Sequence, residues 1–268
     1  MDFIFIFKLI AMPIAILITI LITKKWGAFV GGLLAGLPTF SGPISFFITY
    51  EQGSDFAVLA SYNSLIGLLG CATTAIIYSW TAFFGGKWWL ALPCAIAGYF
   101  INGYFLHFLP DFSPFVVFFA CSSSLIVTFL LPKAKITTYS THRPKWIFWF
   151  QIISGAILVY LITETAHILG PQWSGTMGCF PIMIIALAPF SHVVSGVYAT
   201  LIVMKGLAAG WVGTALFACT VILMVQHFHI AIVYITAIFV ACISSIIYSI
   251  IFIYFQKKFK NKKAALNS

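Results

Sequence analysis

The sequence predicts an all-α integral membrane protein of about nine transmembrane helices, arranged as two inverted-topology four-helix repeats joined by a linker helix. Three observations carry this. Of the 268 residues, 62% are hydrophobic and only 7% charged, too few polar groups to cover an ordinary soluble surface. Apolar windows of roughly 20 residues, the length that crosses about 30 Å of hydrocarbon, recur along the chain with short polar punctuation between them. Displacing the chain against itself by 143 positions also lays glycines and a proline of the first half on those of the second.

The windows fall at 4–23, 27–49, 56–79, 88–107, 113–131, 146–166, 171–191, 194–224 and 230–255. The first, FIFIFKLIAMPIAILITILI, has neither a basic leader before it nor a small-residue cleavage site after it, so it is expected to remain as a span. All six cysteines lie within spans and none forms a CxxC pair, which points to small buried side chains instead of a disulfide framework or zinc site. Tryptophans gather at span ends, Trp88, Trp89, Trp146, Trp149 and Trp173 among them, as interfacial aromatics do.

Charge orients the chain. With the amino terminus outside, the inner loops and tail receive Lys24, Lys25, Lys87, Lys133, Lys135, Arg143, Lys145 and the five lysines between 257 and 263. The outer side receives Asp2, Glu51, Asp55 and Asp111, so cytoplasmic loops carry the bases. The expected location is therefore multi-pass in a bacterial inner membrane, with the carboxyl terminus cytoplasmic. The net charge of +9 belongs to this topology and not to a nucleic-acid partner, because the bases flank spans and form no aromatic-interleaved stripe. Of the two remaining lysines, Lys8 is close enough to an outer helix end to snorkel, whereas Lys205 is not.

The 143-residue offset pairs Gly27, Gly32, Gly53, Gly67 and Gly70 with Gly170, Gly175, Gly196, Gly210 and Gly213, and Pro38 with Pro181, without a gap. The window 27–70 holds eight glycines and its partner seven, so chance aligns about one pair. The same offset places the first four spans on the last four and leaves the fifth between them. An odd linker reverses the second half. The expected organisation is a first repeat over 1–110, a linker helix over 111–132, a basic loop over 133–145, a second repeat over 146–256 and a basic, frayed tail over 257–268.

The second and seventh spans are interrupted at corresponding places. GLPTFSGP, residues 36–43, holds two prolines and two glycines; GCFPIMIIALAPFSH, residues 178–192, holds Pro181 and Pro189. Proline removes a helical hydrogen bond and leaves carbonyls unpaired, and a restarting helix offers free amides. In hydrocarbon such groups are tolerated where they are buried in protein or line a cavity. Matched discontinuous helices in inverted repeats are an architecture of many secondary transporters, with the solute near the midplane. The expected function is thus a permease working by alternating access, and Thr39, Ser41, Gly42, Pro43, Pro181 and Pro189 are its expected lining.

Lys205 lies about twelve residues into the eighth span, roughly 18 Å along the axis, near the bilayer centre. A central lysine either attracts an anionic solute or pairs with a carboxylate such as Glu51 or Glu164. Its pseudo-symmetric counterpart is Tyr62, followed by Asn63, and both are candidate cavity residues. The small solute is accordingly expected to be anionic, with Glu51 and Glu164 as ion-coupling candidates. An acidic outer loop capping the next helix is the rival reading of Glu51 and Asp55.

Glu164 and His167 stand three residues apart on one helical face, and His107, His167, His227 and His229 are all expected near the outer surface, which raises a transition-metal transporter as the alternative. No HExxH, GxSxG, nucleotide-phosphate loop or cofactor motif occurs, so neither an enzyme nor a cofactor is expected. A membrane-embedded enzyme or a structural subunit is the alternative of another class. The expected partners are the bilayer and the solute, with self-association left open.

Overall fold

The computed structural model describes residues 33–133 and 145–266, and its regular elements there are all helices. A short helical stub over 33–36 precedes α1 (Ser41–Gln52), α2 (Ser54–Phe83), α3 (Trp88–Leu106), α4 (Pro114–Leu130), α5 (Lys145–Gly178), α6 (Ile182–Met224) and α7 (Ile230–Leu266). Five stretches of these residues are long and apolar enough to cross a membrane, and α4 is a shorter apolar helix. The expected first span with Lys8, the bases Lys24 and Lys25, the glycines Gly27 and Gly32, and most of the basic loop lie outside the described residues. The segment expected as a frayed tail is instead helical as far as Leu266.

The outward faces are apolar. Along α7, Ile235, Phe239, Ile243, Ile246 and Ile250 recur every three or four residues on one side, each at least 40% exposed. A stripe of this kind would be an aggregation hazard in water and is ordinary against lipid. Inside, α2 and α6 are the central helices: α2 packs against α3, α4, α5 and α6, while α6 also holds α4 and α7. Buried Asn63, Thr74, Ser79, Thr200 and Thr214 lie on these two helices, so polarity is concentrated where lipid does not reach.

Glycine lets the two central helices be approached closely. A Cβ on Gly67 of α2 would collide with the Thr176 carbonyl, and one on Gly210 of α6 would collide with the Leu33 carbonyl. Residues 33 and 176 are themselves 143 apart, as are 67 and 210. Both contacts bring one half's helix against the other half's chain. Glycine also makes three joints: Gly53, between α1 and α2, has φ 87° and ψ 176°; Gly170, which divides α5 into 145–169 and 171–178, has φ 69° and ψ 171°; and Gly196, which divides α6 into 182–195 and 197–224, has φ 81° and ψ 174°. These conformations are close to forbidden for side-chain-bearing residues.

The ends of the bundle are tied by polar contacts. At one end Gln226 donates from Nε2 to Asp55 at 2.8 Å, and the Tyr62 hydroxyl donates to the Pro110 carbonyl and accepts from the Ser113 amide at 3.0 Å. At the other end the Trp80 indole donates to the Leu130 carbonyl at 2.9 Å.

Gly53→Ala and Gly196→Ala should each cost about 1–3 kcal/mol from backbone strain alone, since no neighbour lies within 4 Å of an added Cβ. Gly210→Ala should lower stability by forcing the helices apart. Thermal unfolding in detergent checks this, and unchanged midpoints in all three variants would refute the account of these glycines.

Candidate functional site

Both interruptions are present, and they are built alike. At the first, the Leu37 amide turns back to the Leu34 carbonyl (3.2 Å), Thr39 N–H donates to Leu37 (2.7 Å) and Gly42 N–H donates to Pro38 (2.8 Å). At the second, Phe180 N–H donates to Met177 (2.9 Å), Ile182 to Phe180 (2.7 Å) and Ile185 to Pro181 (3.0 Å). Every donor and acceptor of the first set is 143 residues from its counterpart in the second. The helix tightens to three-residue bonds, a proline at 38 or 181 denies the next donor, and the chain restarts as α1 or α6.

The carbonyls released at the two breaks are taken up by the opposite half. Thr214 of α6 donates from Oγ1 to the Gly36 carbonyl at 2.8 Å. Cys71 of α2 donates from Sγ to the Cys179 carbonyl at 2.9 Å. Residues 71 and 214 are 143 apart, as are 36 and 179, so the two bonds exchange places under the same relation. Each break is thereby fastened to the long helix of the other half.

Between the breaks lies a cavity of about 50 Å³. Fourteen of its sixteen lining residues form seven pairs at the 143-residue offset, among them Gly36 with Cys179, Leu68 with Trp211 and Cys71 with Thr214. Leu68 sits at mid-length of α2, a helix of 30 residues and thus about 45 Å. Trp211 sits at mid-length of 197–224. The lining contains hydroxyls, thiols and aromatic or aliphatic groups, and no charged side chain.

Of the residues expected here from sequence, Ser41 and Pro181 line the cavity. Thr39 shapes the first break, its side chain donating to the Leu37 carbonyl, and Gly42 bonds back to Pro38; neither is in the lining. Pro43 falls in the first turn of α1, and Pro189 sits within α6 without interrupting it; the second break is at 179–181. Tyr62 points to the loop between α3 and α4, as described above. Asn63 is buried on α2, donating from Nδ2 to the Leu59 carbonyl at 2.8 Å.

Lys205 is half-buried on α6 and lines neither this cavity nor its neighbours. Glu51, Glu164, His167, His227 and His229 are all exposed. His229 accepts from the Ala231 amide at the start of α7. Among the described residues no three His, Cys, Asp or Glu side chains are grouped so as to hold a metal ion. In the serine run of α4, Ser124 donates to the Ala208 carbonyl, while Ser123 lines a lateral cavity of about 260 Å³ between α2, α3 and α4.

Sequence reading missed Cys71, Cys179, Trp211 and Thr214. The signal was available in the repeat: carrying Gly36, at the edge of the first break, forward by 143 gives Cys179, and carrying Cys71 forward gives Thr214. In comparison with known proteins the chain matches no family, no curated protein and no solved structure.

Thr214→Val leaves the Gly36 carbonyl without its donor and should cost about 1–3 kcal/mol, with Cys71→Val similar and Cys71→Ser nearly neutral. Thermal unfolding in detergent measures all three; a Thr214→Val variant as stable as the wild type would show that the carbonyl needs no cap.

Proposed function

We propose that the chain is a secondary transporter of a small polar solute, in which two inverted halves, 1–110 and 146–256, rock about the central cavity. The observation that carries the reading is the pair of broken helices, equivalent bond for bond at the 143-residue offset, meeting at one cavity at mid-length of the long helices. A continuous helix would satisfy its own backbone, so two matched breaks are costly unless the space between them is used. Transporters built from inverted repeats place their solute at such a junction.

A cavity of about 50 Å³ holds one or two waters or an ion and is too small for a metabolite. The arrangement is therefore read as a narrow one that widens when the halves move. The joints at Gly53 and Gly196 are natural hinges for that motion, since each lies where a broken helix meets its long neighbour. The uncharged lining favours a neutral, hydrogen-bonding solute over the anion anticipated from Lys205, which stands apart from it. The outer side in this reading is the end where Asp55 meets Gln226 and Asp111 follows α3, and the inner side is the end with Lys87 and Lys133.

Reconstituted into liposomes, the protein should take up one class of small polar solute saturably from a panel of neutral and anionic compounds. Ser41→Ala and Thr214→Val should reduce uptake about tenfold or more, and Lys205→Ala less than about twofold, as expected for residues inside and outside the solute's contact shell. The proposal is lost if folded protein moves nothing in the panel, or if Lys205→Ala abolishes uptake while both cavity variants transport normally.

A further inference from the structure

Beside the central cavity is a smaller one, of about 20 Å³, that shares Ser41, Gly178 and Thr214 with it. Six hydroxyls line it: Ser41, Ser45, Ser61, Ser64, Ser174 and Thr214. Four have partners. Ser41 and Ser64 bond the Cys179 thiol, Ser64 also donates to the Ser61 carbonyl, Ser45 meets the Tyr234 hydroxyl at 2.7 Å, and Thr214 holds Gly36. The hydroxyls of Ser61 and Ser174 have none, although their residues are only 4% and 0% exposed. Buried hydroxyls without a partner are costly, and two on residues that line one small cavity call for an occupant.

The molecule supplies its own control. Moving the six positions by 143 gives Ile184, Ala188, Met204, Leu207, Gly31 and Cys71. The four of these on α6 are apolar and at most 2% exposed, Ile184 and Leu207 lining the central cavity, so the equivalent positions on α6 carry no hydroxyl. Packing at this junction therefore does not require hydroxyls. One half has them and the other does not, within an otherwise matched frame.

We propose that this cluster is a cation site that takes one dehydrated monovalent ion of sodium size, with Ser61 and Ser174 as ligands. Every lining polar side chain is a neutral oxygen, which suits a hard monovalent cation; magnesium and calcium sites are built on carboxylates, and none lines this cavity. Serine hydroxyls do not titrate near neutral pH, so the cluster cannot carry a proton in the cation's place. The volume admits one water-sized occupant. The backbone adds to the site: Cys179 N–H bonds to Thr176, which takes from the Gly175 carbonyl its usual donor, and Gly175 and Gly178 line the cavity at the electronegative carboxyl end of α5. That the ion drives transport rests on the transporter reading; that it binds does not.

Purified full-length protein is titrated with sodium chloride against N-methylglucamine chloride at constant ionic strength, following thermal unfolding and retention of radioactive sodium. Sodium should raise the unfolding midpoint saturably and potassium much less; Ser61→Ala and Ser174→Ala should each raise the half-saturating sodium concentration about tenfold or more. The wild-type titration decides the matter even if a variant fails to fold. A midpoint indifferent to sodium with no ion retained means that the cluster holds water only and overturns the site, as does an equal response to potassium or unaltered binding in both variants. Uptake that continues in sodium-free medium, in protein that retains no sodium, would remove the ion site and leave the transporter reading. Sodium binding without movement of any solute would do the reverse.

Discussion

An unpaired peptide group has no place in hydrocarbon, and the arrangement of this protein follows from how two breaks in its helices meet that constraint. Prolines at 38 and 181 interrupt the backbone ladder where lipid would offer nothing in return. The released carbonyls of Gly36 and Cys179 are capped by Thr214 and Cys71, each reaching from the long helix of the opposite half. Because each half completes the other's backbone, neither break can be satisfied in isolation. The capping bonds also explain why α2 and α6 run side by side through the centre and why glycines at 67 and 210 are needed to let the chain come so near.

The same capping limits what the junction has to offer. Side chains have already claimed one carbonyl at each break, which leaves hydroxyls, thiols and aromatic faces in the cavity lining. No charged group lines the cavity, and Glu51, Asp55, Asp111, Glu164, His167, His227 and His229 are exposed.

Symmetry in the backbone and asymmetry in the side chains do different work. The two breaks share turns, prolines and joint glycines, the features that fix how a chain can bend. The side chains around them diverge: hydroxyl-bearing residues of α1, α2 and α5 line a cavity, and the residues 143 positions from Ser41, Ser45, Ser61 and Ser64 are Ile184, Ala188, Met204 and Leu207.

The all-helical build with long apolar helices and the places of both breaks were legible in the sequence because each depends on composition or on the local chemistry of proline and glycine. Residues 36–43 and Pro181 mark the breaks by themselves; the glycine spacing marks the relation between them. What the sequence did not yield was which side chains converge. Pro189 looks as disruptive as Pro181 yet leaves α6 intact, and Lys205 and Tyr62 look central by depth yet lie outside the lining. Depth along a helix is a one-dimensional quantity that residue counting recovers. The direction a side chain takes around the axis, and whether a facing helix comes near enough to meet it, is settled by packing among elements distant in the chain, so only the tertiary structure decided that Cys71, Thr214, Ser61 and Ser174 meet at the breaks.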